Sequence, residues 1–315
     1  MQAHSAAMPP AAQLTPHPPP VPPLIALQRV YKQFDQGLQA LCDVSLTVRP
    51  GEFVALLGPS GCGKSTVLRL VAGLDAASAG QVTAPALLAA GAAGGLGSGG
   101  GGRGSTTTAF VFQEPTLMPW ATVFDNVWLP LRLQGVSRAA AAPAVRQVLA
   151  RVGLADFEAA HPAQLSGGMK MRASIARALL TRPRVLLMDE PFAALDDITR
   201  QALNTDLLQW WQADGSPAGG MAALFVTHSV AEAVFLSQRV LVMAARPGRV
   251  VTELRVDAAY PREPGFRHSA VFHDACRALG EALAAAHGAH GAPSAQVALG
   301  QAVPTPPSAA PAHPA

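Results

Sequence analysis

The stretch from position 58 to position 66 has residue types that suit the binding of a chain of phosphates. Its sequence is Gly58-Pro59-Ser60-Gly61-Cys62-Gly63-Lys64-Ser65-Thr66, and it fits the pattern G-x-x-x-x-G-K-[ST]. Apolar residues 52–57 before it predict a strand, and residues 67–72 after it predict a helix. Glycines let backbone N–H groups turn toward phosphate oxygens, and the helix N-terminus adds partial positive charge. We predict that Lys64 reaches the β- and γ-phosphates of a nucleotide and that the Ser65 hydroxyl binds Mg²⁺.

An acidic pair follows an apolar run that predicts a buried strand. Asp189 and Glu190 come directly after residues 185–188. An acid at the end of a strand beside a phosphate loop binds the Mg²⁺ of that loop, directly or through water. A second carboxylate that the metal does not neutralise is able to polarise a water for attack on the γ-phosphate, and this role fits Glu190. Without the phosphate loop, the pair would be interpreted as solvated acids at a strand end.

A second candidate anion site begins a helix much later in the chain. Ser166 is a suitable helix cap, and Gly167 and Gly168 leave N–H groups exposed at the positive end of the helix dipole. Two glycines in a first turn are unfavourable on helix propensity alone. We therefore expect a ligand to approach this turn closely, with a plain helix cap as the alternative interpretation.

Two polar residues also follow predicted strands. Gln113 comes after residues 109–112 and is suited to sense a metal ion or a water, and His228 comes after residues 222–226. A histidine at a strand end near phosphate is able to hydrogen-bond a γ-phosphate oxygen. Each of these residues alone would be interpreted as surface or structural, and the motifs described above favour the functional interpretation.

Composition and charge narrow the class of protein. The chain has 315 residues, half of them hydrophobic, which is enough for one large or two small domains. A net charge of +3 without a basic run gives no support to nucleic-acid binding. Cys42, Cys62 and Cys276 are widely spaced and odd in number, so we expect a reducing compartment and no disulfide framework. An apolar span of about 18 residues is lacking, and prolines interrupt the N-terminus, which predicts neither a transmembrane helix nor a signal peptide.

Alternating strand and helix patterns predict an α/β core with a mainly parallel sheet that opens with β-structure. Strands are predicted over residues 25–31, 41–48, 52–57, 109–112, 185–188 and 222–226, with a closing hairpin over 239–244 and 249–256. Helices are predicted over residues 67–72, 139–152 with an early break at Pro143, 164–180, a segment whose Leu203, Leu207, Trp210 and Trp211 pack in the core, and 267–286.

The same patterns divide the chain into segments. We predict disordered Pro- and Ala-rich tails over residues 1–23 and 288–315, a nucleotide-binding domain over 24–256, and a C-terminal helical extension over 257–287. Within the domain, residues 84–105 are expected to form a flexible Gly-rich loop, and residues 122–172 a helical lobe beside the nucleotide site.

Taken in order, these motifs resemble those of the ATP-binding cassette (ABC) transporter ATPases over about residues 25–255. The resemblance implies a P-loop NTPase core with a mainly parallel sheet, an N-terminal antiparallel β part and a helical signature lobe. It implies a phosphate loop over residues 58–66, a Q-loop at Gln113, a signature at Ser166-Gly167-Gly168, a Walker B aspartate at Asp189, a catalytic glutamate at Glu190, a D-loop aspartate at Asp196 and a switch histidine at His228.

The resemblance also implies the cofactors ATP and Mg²⁺. Lys64, Gln113, Glu190 and His228 would act in catalysis, and Mg²⁺ would be held by Ser65, Gln113 and Asp189. The aromatic residue that stacks on adenine in the family falls at Phe34, and Tyr31 is the less favoured candidate.

A finer resemblance is to the ATPases of nitrate, sulfonate and taurine importers. The similar stretches are residues 112–120, 188–196, 227–229 and 245–248. Two stretches depart from the family pattern: Lys170-Met171-Arg172 stands where Arg-Gln-Arg is usual, and the Gly-rich segment replaces an ordinary hairpin. Neither departure touches the implied catalytic residues, but the transported solute stays open.

The resemblance implies a mechanism with partners. Two cassettes would pack head to tail as a homodimer, with ATP between the phosphate loop of one and the signature of the other. Hydrolysis would drive integral membrane permease subunits, and indirectly a solute-binding protein, with the cassette peripheral on the cytoplasmic face of the membrane. The alternatives are a soluble ABC ATPase that acts on DNA or the ribosome, and a small-molecule kinase. The first needs two cassettes or a long coiled coil, and the second has no use for the signature.

The adenine contact is open to a direct test. Phe34→Ala should weaken nucleotide binding by roughly 1–3 kcal/mol, by analogy with base–aromatic stacking elsewhere, while Phe34→Tyr and Phe34→Trp should have mild effects. Equilibrium titration with a fluorescent ATP analogue measures the loss. If Tyr31→Ala causes the loss instead, the assignment of Phe34 is wrong.

Overall fold

The computed structural model describes residues 21–35, 37–85, 108–213 and 220–288. The predictions for most of both tails and for residues 86–105 of the Gly-rich loop lie outside the described residues. Ala84, which we placed at the start of that loop, is fully buried in the core beside the first strands. The core-forming part of the chain therefore extends past the predicted start of the loop.

Nine strands form two sheets in the described part of the chain. They are β1 Ile25–Gln33, β2 Gln39–Val48, β3 Phe53–Leu57, β4 Ala79–Thr83, β5 Thr108–Val111, β6 Val185–Asp189, β7 Ala222–Thr227, β8 Arg239–Ala244 and β9 Arg249–Arg255. A three-stranded antiparallel sheet has the order β2-β1-β4, and a six-stranded sheet has the order β5-β6-β7-β3-β8-β9. The larger sheet is parallel except for β9, which pairs antiparallel with β8. The α/β prediction with a mainly parallel sheet is confirmed.

Helices connect the parallel strands and cover the sheet. They are α1 Lys64–Val71, α2 Val123–Leu133, α3 Arg138–Arg151, α4 Gly167–Leu179, α5 Asp197–Ala213, α6 Val230–Leu236 and α7 Ala270–Gly288. Short 3-10 turns lie at Ala155–Phe157, Pro162–Gln164 and Pro264–His268. None of the helices within the described ranges has the length and apolar character needed to cross a membrane.

The parallel arrangement explains both the sequence of the central strands and the position of the site. Strands β3 and β7 are buried along their whole length, because layers pack on both faces of the sheet. Parallel strands end at one edge of a sheet, and loops at that edge bind ligands in open α/β folds. The loops that follow β3, β5, β6 and β7 contain the phosphate loop, Gln113, Glu190 and His228.

Four helix predictions need correction. Helix α1 begins at Lys64, three residues before the predicted start, and α7 covers Ala270–Gly288 instead of residues 267–286. Helix α3 continues through Pro143, because residues such as Val145 and Leu149 are buried in the core and packing outweighs one lost backbone hydrogen bond. Helix α4 begins at Gly167 and not at Gln164, which belongs to the preceding 3-10 turn, where its side chain accepts a hydrogen bond from the His161 N–H at 2.7 Å.

Helix α5 packs as its apolar residues predict. Leu203, Leu207, Trp210 and Trp211 are all buried. The Trp211 and Phe53 rings pack nearly perpendicular to each other at a centroid distance of 5.5 Å, and the Trp211 indole N–H donates to the Met221 carbonyl at 2.6 Å. These contacts fix α5, and with it the segment after Glu190, against the central sheet.

Candidate active site

A cavity of about 860 Å³ opens at the carboxyl edge of the parallel sheet. Its walls come from the phosphate loop, the start of β2, the ends of β5 and β6, and the turn between β8 and β9. The lining residues are Phe34, Leu38, Gln39, Ala40, Ser60, Gly61, Gly63, Lys64, Ser65, Thr66, Gln113, Asp189, Glu190, Arg246 and Pro247. The structure therefore brings most of the residues predicted for ATP, metal and catalysis around one space.

The phosphate loop needs glycine at defined positions. Gly61 and Gly63 have φ values of 77° and 90°, in the left-handed region that side chains disfavour. A Cβ atom on Gly63 would also lie only 2.6 Å from Leu41 Cδ2. Gly63 caps α1, so the free N–H groups of the first turn lie at the cavity with Lys64, Ser65 and Thr66. This turn suits the binding of an anion.

Lys64 is the buried cation of the site, with 4% of its surface exposed. Its ammonium donates to the carbonyls of Gly58 at 2.7 Å and Pro59 at 2.9 Å, and its Nζ lies 3.3 Å from Glu190 Oε1. Gly58 and Pro59 therefore contribute carbonyl groups to the loop and do not line the cavity. Cys62 is fully buried in the core below the loop, where burial raises the pKa of its thiol.

Ser65 and Asp189, which we predict to hold Mg²⁺ together with Gln113, contact each other. The Ser65 hydroxyl donates to Asp189 Oδ1 at 2.9 Å, and Gln113 lines the same cavity. Burial raises the pKa of Asp189, and the Ser65 hydrogen bond opposes that shift. Hard oxygen donors of this kind fit Mg²⁺, which takes only one or two protein carboxylates beside phosphate oxygens and water. No group of three or more histidine, cysteine, aspartate or glutamate side chains that could hold a metal ion occurs in the described ranges.

Glu190 connects the phosphate loop to the switch histidine. Its Oε1 lies near Lys64, and its Oε2 lies 2.9 Å from His228 Nδ1. The backbone of Glu190 has a φ of 44°, a strained value for a residue with a side chain, and its N–H donates to the Val226 carbonyl on β7. The neighbouring strand thus helps to hold the carboxylate between the Lys64 ammonium and the His228 imidazole.

The structure distinguishes the two aromatic candidates for adenine. Phe34 is 40% exposed and lines the cavity, whereas Tyr31 lies outside its lining. The Lys32 ammonium lies 4.9 Å from the Phe34 ring centroid and is held by Asp75 Oδ1 at 2.6 Å. This placement favours Phe34, and the stacking itself stays a prediction.

The signature and the D-loop lie away from this cavity. The Ser166 hydroxyl caps α4 by accepting from the Met169 N–H at 3.3 Å, and Gly167 is exposed. Gly168 is buried, and a Cβ there would lie 2.7 Å from Thr199 Cγ2. We attributed both glycines to the approach of a ligand, but at Gly168 the packing against α5 is reason enough. Asp196 caps α5 through a 2.9 Å bond from the Thr199 N–H.

The β8–β9 turn adds lining residues that we did not predict. Arg246 and Pro247 lie in this turn, and Gly248 ties it to β2. The Gly248 N–H donates to the Ala40 carbonyl at 3.0 Å, and the Gly248 carbonyl accepts from the Cys42 N–H at 2.8 Å. The motif over residues 245–248 was visible in the sequence, but no local pattern reveals a contact between segments so far apart.

Comparisons with known proteins agree with this geometry. The sequence profile of a family described as ABC transporter matches residues 41–193. The chain is 43% identical over 237 residues to an uncharacterized ABC transporter ATP-binding protein of Methanocaldococcus jannaschii, with 75% of this chain and 82% of the relative covered. The chain belongs to the ABC transporter ATPase family. The cassette therefore binds and hydrolyses ATP, as the motifs predict.

Two curated relatives and two solved structures add detail. The cassette is 43% identical to an aliphatic sulfonates import ATP-binding protein of Burkholderia cenocepacia, over 77% of this chain and 82% of the relative. It is also 43% identical to a taurine import ATP-binding protein of Burkholderia pseudomallei, over 73% of this chain and 82% of the relative. A dimeric bacterial ABC transporter cassette matches with a TM-score of 0.61 and 29% identity, over 75% of this chain and 100% of that one. Its post-hydrolysis form, bound to ADP and Pi, gives a TM-score of 0.60 and the same identity and coverage. These relatives favour a transport ATPase over an ABC ATPase that acts on nucleic acid.

Glu190→Gln tests the role of the carboxylate. The amide keeps the size of the side chain but cannot act as a base, so the rate of ATP hydrolysis should fall by roughly 10²–10⁴-fold while ATP binding persists. Phosphate release from the purified cassette measures the rate. The exposed neighbour of Gln113, Glu114, provides the matched control Glu114→Gln, which should leave the rate unchanged. A Glu190→Gln variant within a few-fold of the wild-type rate would remove Glu190 from this role.

Proposed function

We propose that the cassette is the ATP-hydrolysing subunit of an importer that moves a small solute of the nitrate, sulfonate or taurine class through separate membrane subunits. The observation that carries this proposal is that Lys64 and Glu190 line one cavity together with the Ser65–Asp189 pair, and that His228 contacts Glu190. The printed names of the sulfonate and taurine relatives support the solute class.

We infer one orientation for ATP in the cavity from the residues that line it. The adenine stacks on Phe34, and the phosphates lie on the N–H groups at the start of α1. Ser65, Asp189 and Gln113 hold Mg²⁺, which neutralises charge on the phosphate oxygens when bound. Lys64 exchanges its carbonyl partners for phosphate oxygens, because an ammonium bonds a charged acceptor more strongly than a neutral one.

Hydrolysis then requires a base and a fixed water. The oxygen of the water attacks the γ-phosphorus while Glu190 accepts a proton from that water. The bond from the γ-phosphorus to the bridging oxygen of ADP then breaks. The His228 Nδ1 lies 2.9 Å from Glu190 Oε2, and we infer that the imidazole also donates to a γ-phosphate oxygen. When Lys64 turns to the phosphates, the Glu190 Oε1 that faces its ammonium is released to contact the water.

The second half of the site comes from another copy of the chain. Ser166, Gly167 and Gly168 start a helix whose N-terminus lies away from the cassette's own cavity. We infer that this turn meets the γ-phosphate bound by a partner cassette, with Asp196 at the same interface. The dimeric form of the related cassette supports this arrangement.

The ATP-bound dimer can be tested by trapping it. With Mg-ATP, Glu190→Gln should accumulate as a dimer, because the γ-phosphate that joins the two surfaces is not cleaved. Adding Ser166→Arg should block the dimer, since a bulky side chain fills the anion site. Light scattering after size exclusion measures the mass. A dimer that survives Ser166→Arg would show that the signature helix is not the second ATP site.

The membrane subunits have a candidate docking surface near the Q-loop. An apolar groove of about 380 Å³ lies between β5, α2 and α4 and includes Phe112, Leu129, Pro130, Leu133 and Ala178. Leu133 is 79% exposed there. We infer that a cytoplasmic segment of the permease occupies this groove, which would place the cassette on the cytoplasmic face of the membrane, with a solute-binding protein acting indirectly.

The groove is physically joined to the ATP cavity. Arg177 lines the groove and donates to the carbonyls of Pro115 at 3.0 Å and Thr116 at 2.9 Å. These residues follow Gln113 closely, so a movement of the helix that contains Arg177 would shift the Q-loop. This connection supports the coupling of hydrolysis to the membrane subunits.

Leu133→Asp tests the groove. A charge in an apolar contact should lower the membrane-bound fraction of the tagged cassette several-fold in its own cells, because an unpaired carboxylate is costly to bury. The ATPase rate of the purified cassette should not change. The control is Leu74→Asp, because Leu74 is 57% exposed but does not line the groove. The membrane-bound fraction of this variant should equal that of the wild type. Equal membrane fractions for the two variants would contradict the assignment.

A further inference from the structure

Glu232 is a buried carboxylate on α6, four residues after His228. Only 6% of its surface is exposed. Its Oε2 accepts a hydrogen bond from the Thr227 hydroxyl at 2.5 Å, and its Oε1 lies 3.9 Å from Arg200 Nε without accepting a hydrogen bond. Burial raises the pKa of this carboxyl, and Thr227 and Arg200 oppose the shift. A carboxylate that is half paired in the core needs an explanation beyond packing.

On one side, Glu232 braces the turn that contains His228. The Thr227 oxygen that donates to Glu232 also accepts from the Ser229 N–H at 2.9 Å. The Ser229 hydroxyl in turn accepts from the Glu232 N–H at 3.4 Å. These bonds close around Thr227-His228-Ser229, so the position of Glu232 determines how the turn presents His228 to Glu190.

On the other side, Arg200 braces the segment between Glu190 and the D-loop. Its Nη2 donates to the Leu195 carbonyl at 2.6 Å, and its Nε donates to the Phe192 carbonyl at 3.3 Å. Leu195 directly precedes Asp196. Because the guanidinium is bonded to the D-loop backbone, a shift of that backbone would change the distance between Arg200 and the Glu232 carboxylate.

We propose that Glu232 is a positioning residue that couples the D-loop to the switch-histidine turn, so that contact with a partner cassette at Asp196 alters the position of His228. This inference rests on the proposed ATP-bound dimer. The charge suits the role, because Coulomb attraction at 3.9 Å persists while the D-loop shifts, whereas a hydrogen bond breaks with small displacements. A movement of Arg200 by about 1 Å would bring its Nε within hydrogen-bond distance of Oε1, and the single Nε–H would then exchange the Phe192 carbonyl for the carboxylate.

A double-mutant cycle between Asp196→Asn and Glu232→Gln tests the coupling. Asn preserves the helix cap of α5, and Gln preserves the acceptor for Thr227 while removing the attraction for Arg200. Each variant should lower kcat for ATP by roughly two- to thirtyfold, with the ATP dissociation constant within about twofold. The double variant should be no slower than the slower single variant, because both changes interrupt one path.

A merely structural Glu232 gives a different result. In that case the two losses multiply in the double variant, and the kcat of Glu232→Gln falls in parallel with its melting temperature. Glu253→Gln is the matched control, because it removes the charge of another arginine-paired glutamate, bound to Arg239 at 2.7 Å and outside the ATP cavity. Its kcat should equal that of the wild type.

A second pair of variants covers a possible folding defect of Glu232→Gln. Thr227→Val removes the hydroxyl at nearly constant shape and should lower kcat. Thr227→Ser retains the hydroxyl, and its kcat should equal that of the wild type. Equal rates for the Val and Ser variants would overturn the proposal. If Asp196→Asn and Ser166→Arg both leave hydrolysis unchanged, the proposed dimer fails instead, whatever Glu232 does.

Discussion

The ammonium of Lys64 is buried between two carbonyl groups of its own loop and the carboxylate of Glu190. A buried charge is tolerated only when it is paired and hydrogen-bonded. The partners of Lys64 come from the loop after β3 and from the end of β6, so the cation holds two separate segments in register. The remaining contacts of the site follow from this one, because Glu190 also holds His228, and Asp189 beside it holds Ser65.

The parallel sheet makes that pairing possible. Strand order β5-β6-β7-β3 places the ends of four strands side by side, although the segments are far apart in the chain. Each strand end contributes a different chemical group: an amide, two carboxylates, an imidazole and the phosphate loop. Helices α5 and α6 then continue from two of these ends, which is why Arg200 and Glu232 meet beneath the site. The catalytic surface and the layer that supports it are thus parts of the same strand–loop–helix units.

The predictive power of the sequence was high where function depends on short segments. The phosphate loop, the acidic pair and the polar residues after β5 and β7 were all recognisable, because each motif is contiguous and follows an apolar strand. Contacts between distant segments were not predictable, as with Gly248 against Ala40 and Gly168 against Thr199. Pro143 shows a further limit, since local propensity predicts a break in a helix that tertiary packing keeps intact.

The turn that contains Gly248 has a consequence for interpreting substitutions in this protein. A Cβ atom at Gly248 would lie 2.3 Å from the Cys62 carbonyl and 2.7 Å from the Ala40 carbonyl, and neither backbone is free to move without deforming the phosphate loop or the start of β2. A saturation screen for ATPase activity would therefore rank this glycine with the catalytic residues, although it touches no reacting atom. Intolerance to substitution at such a position measures the stiffness of the frame around the phosphates and not participation in the chemistry.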